Sequence, residues 1–171
     1  MVTQYAMAIG ERIGFDEKQL DLIQIAGLLH DIGKIGIGDS ILNKPDRLTE
    51  EEMGVIKAHP ILGMTIIDSI KALKPVARII YHHHEHYDGK GYPEGIKRDD
   101  IPLMSRILTV ADIFHALTSD RIYRKAMPLE KALSIMREEM GTTIDPEIGT
   151  VFFELVEEEK ILPPLLLLNS L

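Results

Sequence analysis

Apolar residues recur three and four positions apart from one end of this chain to the other, and the alternating Val, Ile, Thr and aromatic runs that mark strands are almost missing. A chain patterned this way buries its apolar side chains along helix faces, so the expected fold is all-α. Helix starts are explicit. Asp16, with Gln19 three residues on, forms a capping box ahead of Leu20, Ile23, Ala26 and Leu29. That helix is expected to run to near Gly33, which brings His30 and Asp31 to its last turn. Thr49 and Glu52 repeat the pattern, and their helix is expected to stop at His59, because Pro60 disfavours helical geometry in the residue before it. Pro60, Pro75, Pro102, Pro128 and Pro146 each stand ahead of an apolar-periodic stretch, where a first-turn proline costs no hydrogen bond.

The opening stripe of Val2, Tyr5, Ala6, Ile9 and Ile13 has no cap before it, so this helix is expected to be cut into and the natural chain to extend upstream. Residues 36–48 and the glycine-rich residues 85–101 read as loops. At 171 residues the chain is one domain's worth. The expectation is a single domain over residues 1–171, a bundle of about seven helices with a glycine-rich loop. Residues 161–171 would form an apolar tail for core packing or a subunit contact.

Charge narrows the function. With 27 acidic against 19 basic residues, a formal net charge of −8, the chain has no electrostatic reason to bind DNA, other nucleic-acid backbone or an anionic membrane. Any phosphate ligand must be captured locally. Cysteine is absent, which removes disulfides, thiolate catalysis and thiolate-held metals, so metal chemistry must use imidazole and carboxylate. No apolar run approaches the ~20 residues of a membrane span, and the start lacks the layout of a signal peptide, so a cytoplasmic location is expected.

Most of the histidines fall at expected helix ends or beside the glycine-rich loop, which suggests a shared cleft. His30 and Asp31 offer a neutral nitrogen and a carboxylate able to bridge two cations, with Lys34 one turn on. His59 gains weight only in such company. His82, His83 and His84 follow an apolar segment where three imidazoles would be costly to bury without partners; their alternative is a solvated helix end. At about 100° per residue on a helix, at most two of the three can aim at one cation, leaving one bystander. Asp112 sits in a stretch apolar enough for a core helix, where an ionised carboxylate needs a cation: a metal, or Arg106 as the nearest basic side chain. His115 lies one turn further on the same face, as a second group behind the ligands or a surface residue. Arg121 and Arg124 could fork onto phosphate oxygens or belong, like Lys125, to a solvated charged face.

Together, His30-Asp31-Ile32-Gly33-Lys34, His59-Pro60, His83-His84-Glu85, Asp88-Gly89-Lys90-Gly91-Tyr92-Pro93, Ala111-Asp112 and Asp120-Arg121-Ile122-Tyr123-Arg124 resemble, in order and spacing, the HD-GYP family of HD-domain metal phosphohydrolases. The likeness runs from about Tyr5 to about Phe153. It implies hydrolysis of the bacterial messenger cyclic di-GMP to linear pGpG or on to GMP, with two divalent ions: iron or manganese by preference, zinc, magnesium or nickel as alternatives. By position, His30, Asp31 and Asp112 would hold one ion, and Asp31 would bridge to a second held by His59, His83 and His84. Lys34 would sit by the scissile phosphate, with Tyr92, Arg121 and Arg124 binding substrate. The Gly91-Tyr92-Pro93 loop would also dock onto diguanylate cyclase domains, and a sensory or receiver domain would precede the chain. Two departures stand out: the family's upstream histidine and glutamate ligands would fall before Met1, and His115 occupies a position where the family commonly has aspartate. Two rival readings are a signalling module working through protein contacts, and a phosphohydrolase acting on another nucleotide.

Overall fold

The computed structural model describes residues 1–120 and 124–164. Among them no strand forms, and eight helices of two turns or more are present together with one single-turn helix, as the apolar periodicity requires. In chain order they are α1 (Val2–Arg12), α2 (Glu17–Leu29), the single turn α3 (Asp39–Leu42), α4 (Glu50–Lys57), α5 (His59–Asp68), α6 (Lys74–Tyr81), α7 (Leu103–Thr118), α8 (Leu129–Glu138) and α9 (Pro146–Glu157). The apolar run at residues 165–168 lies outside the described residues.

Helix α7 organises the bundle. Ile107, Leu108, Val110, Ala111 and Phe114 are all fully buried, so the helix is apolar on several sides rather than along one stripe. It is surrounded accordingly by α1, α2, α6, α8 and α9. Edge-on ring contacts link α1, α7 and α9: Tyr5 to Phe114 at 5.2 Å and Phe114 to Phe152 at 5.0 Å between centroids. The Tyr5 hydroxyl donates to the carbonyl of Leu162, tying the segment after α9 back to α1.

Both capping boxes form as read: Asp16 accepts from the Gln19 amide and Thr49 from the Glu52 amide, and each N3 side chain returns the bond. The ends differ from expectation by a few residues, and the differences matter. Helix α2 stops at Leu29, and the chain tightens into a 3-10 turn over Ile32–Gly36. His30 and Asp31 therefore sit at the joint between two helical geometries instead of inside one. Helix α4 stops at Lys57, and His59 opens α5 with Pro60 behind it in the first turn, where the missing N–H is no loss.

Candidate metal centre

Three backbone joints and the middle of α7 converge on one place. The turn after α2 packs on α5, α5 packs on α6, and the chain beyond α6 lies against α7. His30 and Asp31 come from the first joint, His59 from the start of α5, His83 and His84 from the turn after α6, and Asp112 from the middle of α7.

Three of the histidines are wired alike. His30 Nδ1 lies 2.8 Å from the Gly27 carbonyl, His59 Nδ1 lies 2.8 Å from the Ile56 carbonyl, and His83 Nδ1 is bonded to the Ile80 carbonyl. A carbonyl only accepts, so each Nδ1 carries the hydrogen, and in the neutral imidazole each Nε2 presents a lone pair. Fixing the tautomer from behind in this way is how metal-ligating imidazoles are oriented. The consequence is an electrostatic conflict. The lone pairs of His59 and His83 face each other with Nε2 to Nε2 at 3.4 Å, and burial pushes the His83 imidazole down to about 4, so it does not take a proton near neutral pH to relieve them. His84 brings a third nitrogen, and one ligand atom from each of the three lies within 4.8 Å of the others. Its imidazole is pushed down to about 2, by burial first and by His83 second.

The carboxylates complete the picture. Asp31 Oδ1 stands 3.5 Å from His59 Nε2, and its Oδ2 stands 3.6 Å from His30 Nε2. His30 Nε2 is in turn 3.7 Å from Asp112 Oδ1. These separations are too long for good hydrogen bonds and leave the groups ringed around a common space. Asp31 alone reaches both the His30–Asp112 side and the His59 side among the ion-pair distances of the described residues. Burial would raise its carboxyl, but His30 and Lys34 outweigh that and hold it low; Asp112, more deeply set, is held low against burial by His30. Acceptors arranged with their lone pairs inward, in a set of imidazoles and carboxylates, fit divalent cations.

The alternative cation for Asp112 is accounted for. Arg106 points elsewhere, donating to Asp145 at 2.6 Å and Asp99 at 3.1 Å, and so locks the end of the glycine-rich loop to the start of α9. The triplet resolves as two histidines toward the cluster and one bystander, but not through helix geometry. Residues 82–84 lie beyond the end of α6 in a turn, and His82 turns away with Nδ1 at 3.8 Å from Glu85. Thr109 on α7 holds this turn, its hydroxyl donating to the His83 carbonyl at 2.8 Å.

Lys34 donates to Asp31 Oδ2 at 2.7 Å, on the open side of the cluster. Tyr92 stacks on His84 with ring centroids 4.9 Å apart and planes 25° from parallel. Two features put it there. The Tyr92 amide donates to the His84 carbonyl, and a side chain on Gly91 would lie 2.2 Å from the His86 nitrogen, so only glycine admits this approach. Arg124 donates to the Ala116 and Leu117 carbonyls and so closes the C-terminal end of α7, while Lys125 pairs with Asp120. Arg121 lies outside the described residues. His115 stands partly buried on α7, one turn past Asp112.

Sequence reasoning gave Glu85 no role of its own. Its buried carboxylate accepts from the Glu94 amide at 2.7 Å and the Gly95 amide at 3.0 Å, which folds the glycine-rich loop over the histidine turn. Only its place beside the histidines and upstream of Gly89, Gly91 and Gly95 hints at this. Glu85→Ala leaves two amides without their acceptor and is expected to cost about 2 kcal/mol in chemical denaturation; an unchanged midpoint would contradict the anchoring role.

The histidine environment also sets a pH dependence for the metal-free chain. An unfolded imidazole titrates near 6.5, whereas folded His83 waits until about 4 and His84 until about 2. Between those values the unfolded chain holds more protons, so stability is fully present above about 6.5 and falls as pH drops toward 4. His83 alone accounts for about 3 kcal/mol. His30, raised by Asp112 and Asp31 in spite of burial, works in the opposite direction and offsets part of it. Denaturation in chelator at pH 7 and pH 4.5 is expected to show a net loss in acid; equal or greater stability at pH 4.5 would contradict the assignment of neutral, buried imidazoles.

Comparison with known proteins places the chain in a family. The HD domain family matches residues 1–148. The chain is 44% identical over 146 residues to 3'3'-cGAMP-specific phosphodiesterase 3 of Vibrio cholerae, covering 85% of this chain and 32% of that protein. It is 41% identical over 147 residues to the cyclic di-GMP phosphodiesterase response regulator RpfG of Xanthomonas campestris, covering 85% and 39%. The chain thus spans about a third of the length of these curated relatives. In fold it is similar to an HDG"Y"P protein from Bdellovibrio bacteriovorus, with a TM-score of 0.73 at 23% identity over 91% of this chain and 50% of that one. With the family match covering most of its length and the histidine turn, aspartates and Gly-Tyr-Pro loop in place, the chain belongs to the HD-domain family, in its HD-GYP branch.

Proposed function

We propose that this chain is a metal-dependent phosphodiesterase of cyclic dinucleotides, acting on cyclic di-GMP to give linear pGpG, GMP or both. The observation that carries the reading is the facing pair of lone pairs on His59 and His83, beside a third imidazole and two carboxylates, a donor set that divalent cations would satisfy. On this reading His30, Asp31 and Asp112 hold one divalent ion, and Asp31, His59, His83 and His84 hold the other, with iron or manganese preferred for this donor set. When bound, the ions supply Lewis-acid polarisation of the phosphodiester and an activated water for in-line displacement.

The protein's own groups do the rest. Lys34, oriented by Asp31, meets the scissile phosphate and stabilises charge developing on its oxygens. Tyr92, fixed on His84, forms a flat wall against which a base or ribose can lie. Arg121 and Arg124 belong to the same proposal as phosphate ligands; Arg124 would first release the carbonyls that it now holds. Residues 1–171 acting as one cytoplasmic signalling domain, behind a sensory or receiver domain and docking onto a cyclase domain through Gly91-Tyr92-Pro93, complete the reading. A second substrate, 3'3'-cGAMP, is favoured by the relative at 44% identity, which is named as specific for it.

The test is cleavage of both dinucleotides by the purified chain loaded anaerobically with iron(II) or manganese(II). Linear product that disappears when chelator is added supports the proposal, and the ratio of the two rates selects the substrate. A metal-loaded chain that leaves both intact overturns it.

A further inference from the structure

One cation at the rim of this site is unclaimed by any function so far. Lys57 is the last residue of α4, two positions before His59, and its side chain is exposed. Its Nζ lies 5.3 Å from the centroid of the Tyr92 ring, the same ring that stacks on His84. Lys57 and Tyr92 therefore stand together, each tied by its own backbone to a histidine of the cluster, while Lys34 meets the cluster from Asp31.

The other cations nearby are engaged. Lys34 is held by Asp31, Arg106 by Asp145, Lys44 by Glu52, and Arg124 by backbone carbonyls. No carboxylate among the described residues forms an ion pair with Lys57. An ammonium over a ring face is only weakly neutralised, so its charge remains available to an anion. In a chain of net charge −8, such a group beside the site is an uncommon local source of positive potential.

We infer that Lys57 and Tyr92 form a second subsite, which binds the non-scissile phosphate of a cyclic dinucleotide with Lys57 as its charged ligand. The inference rests on the function proposed above. A cyclic dinucleotide carries two phosphodiesters; one goes to the metal cluster and Lys34, and the other must be met by positive charge elsewhere. Tyr92 would then serve twice, as a stacking surface and as the seat that holds the lysine in place.

The test compares wild type, Lys57→Gln and Lys57→Arg on two substrates: cyclic di-GMP, with two phosphodiesters, and bis(p-nitrophenyl) phosphate, with one. Expected for Lys57→Gln is a KM for cyclic di-GMP raised about tenfold at a kcat within roughly twofold, the signature of lost uniform binding. Hydrolysis of the single phosphodiester should not change, and Lys57→Arg should restore most of the affinity. An unchanged KM in Lys57→Gln overturns the inference, as does an equal fall on both substrates, which would place the charge at the reacting centre. Wild type that cleaves the single phosphodiester but neither cyclic di-GMP nor 3'3'-cGAMP removes the subsite and its substrate while leaving the metal centre standing. Wild type that cleaves none of the three overturns the proposed function and the inference with it.

Discussion

Asp31→Ala is expected to lower cyclic-dinucleotide cleavage at least about a thousandfold, some 4 kcal/mol of barrier, while leaving helicity nearly unchanged. The size follows from position. One carboxylate oxygen lies by His59, and the other lies by both His30 and Lys34, so a single side chain joins the two halves of the site and orients its lysine. On the proposed function, its removal would take a shared ligand from both cation positions, and it frees Lys34 at once. Asp31 is partly exposed, so its loss opens no cavity in the core, and the fold should survive the change. Turnover within tenfold of wild type, or a variant that retains the full metal content, would refute the joining role. Asp31→Asn is the finer probe: it keeps the shape but offers one neutral oxygen in place of a shared charge, and should resemble the alanine variant in activity.

The second large effect concerns a residue with no chemistry of its own. Gly33→Ala is expected to lower stability by at least about 3 kcal/mol, roughly 10 °C in Tm, and to cost the chain its metal affinity. A Cβ on Gly33 would lie 1.9 Å from the His59 carbonyl oxygen and 2.5 Å from the Gly63 nitrogen. Both are backbone atoms of α5, so no side-chain rotamer relieves the clash, and the turn carrying His30, Asp31 and Lys34 must move away from His59. Gly54→Ala is the control. It sits in α4 with nothing near its Cβ position, and replacing a helical glycine there should stabilise by about 0.5–1 kcal/mol. A Gly33→Ala protein with wild-type Tm and wild-type metal content would contradict the packing argument.

How much of this was legible beforehand depends on whether the cause was local. The capping boxes at Asp16 and Thr49 and the five prolines are local devices, and helices begin at them: Pro60, Pro75 and Pro146 stand in the first turn, and Pro102 and Pro128 one residue earlier, at the N-cap. Asp112 was legible for the opposite reason, as a charge the local sequence could not accommodate; the structure supplies imidazoles around it and sends Arg106 to Asp145 instead. Helix ends were less legible. Both ends that missed, after Leu29 and after Lys57, fall a few residues ahead of Gly33 and Pro60, the breakers from which they were read. The helix-angle rule that at most two of the three histidines share one target assumed a helix that in fact ends at Tyr81, and it named no pair; His83 and His84 were singled out by the family resemblance. The need for glycine at position 33 and the pairing of Lys57 with Tyr92 depend on chain segments brought together only by folding, and nothing in either neighbourhood announces them.

The proposed function requires that His30, Asp31, His59, His83, His84 and Asp112 hold two cations in a shared space. Crystals of the metal-loaded chain, measured across the absorption edge of iron or manganese, test it without reference to activity. The expected result is two anomalous peaks, one in contact with His30 and Asp112, the other with His59, His83 and His84, and Asp31 touching both. Loaded crystals with no peak among these residues, and with the His59 and His83 nitrogens still facing each other, would contradict it.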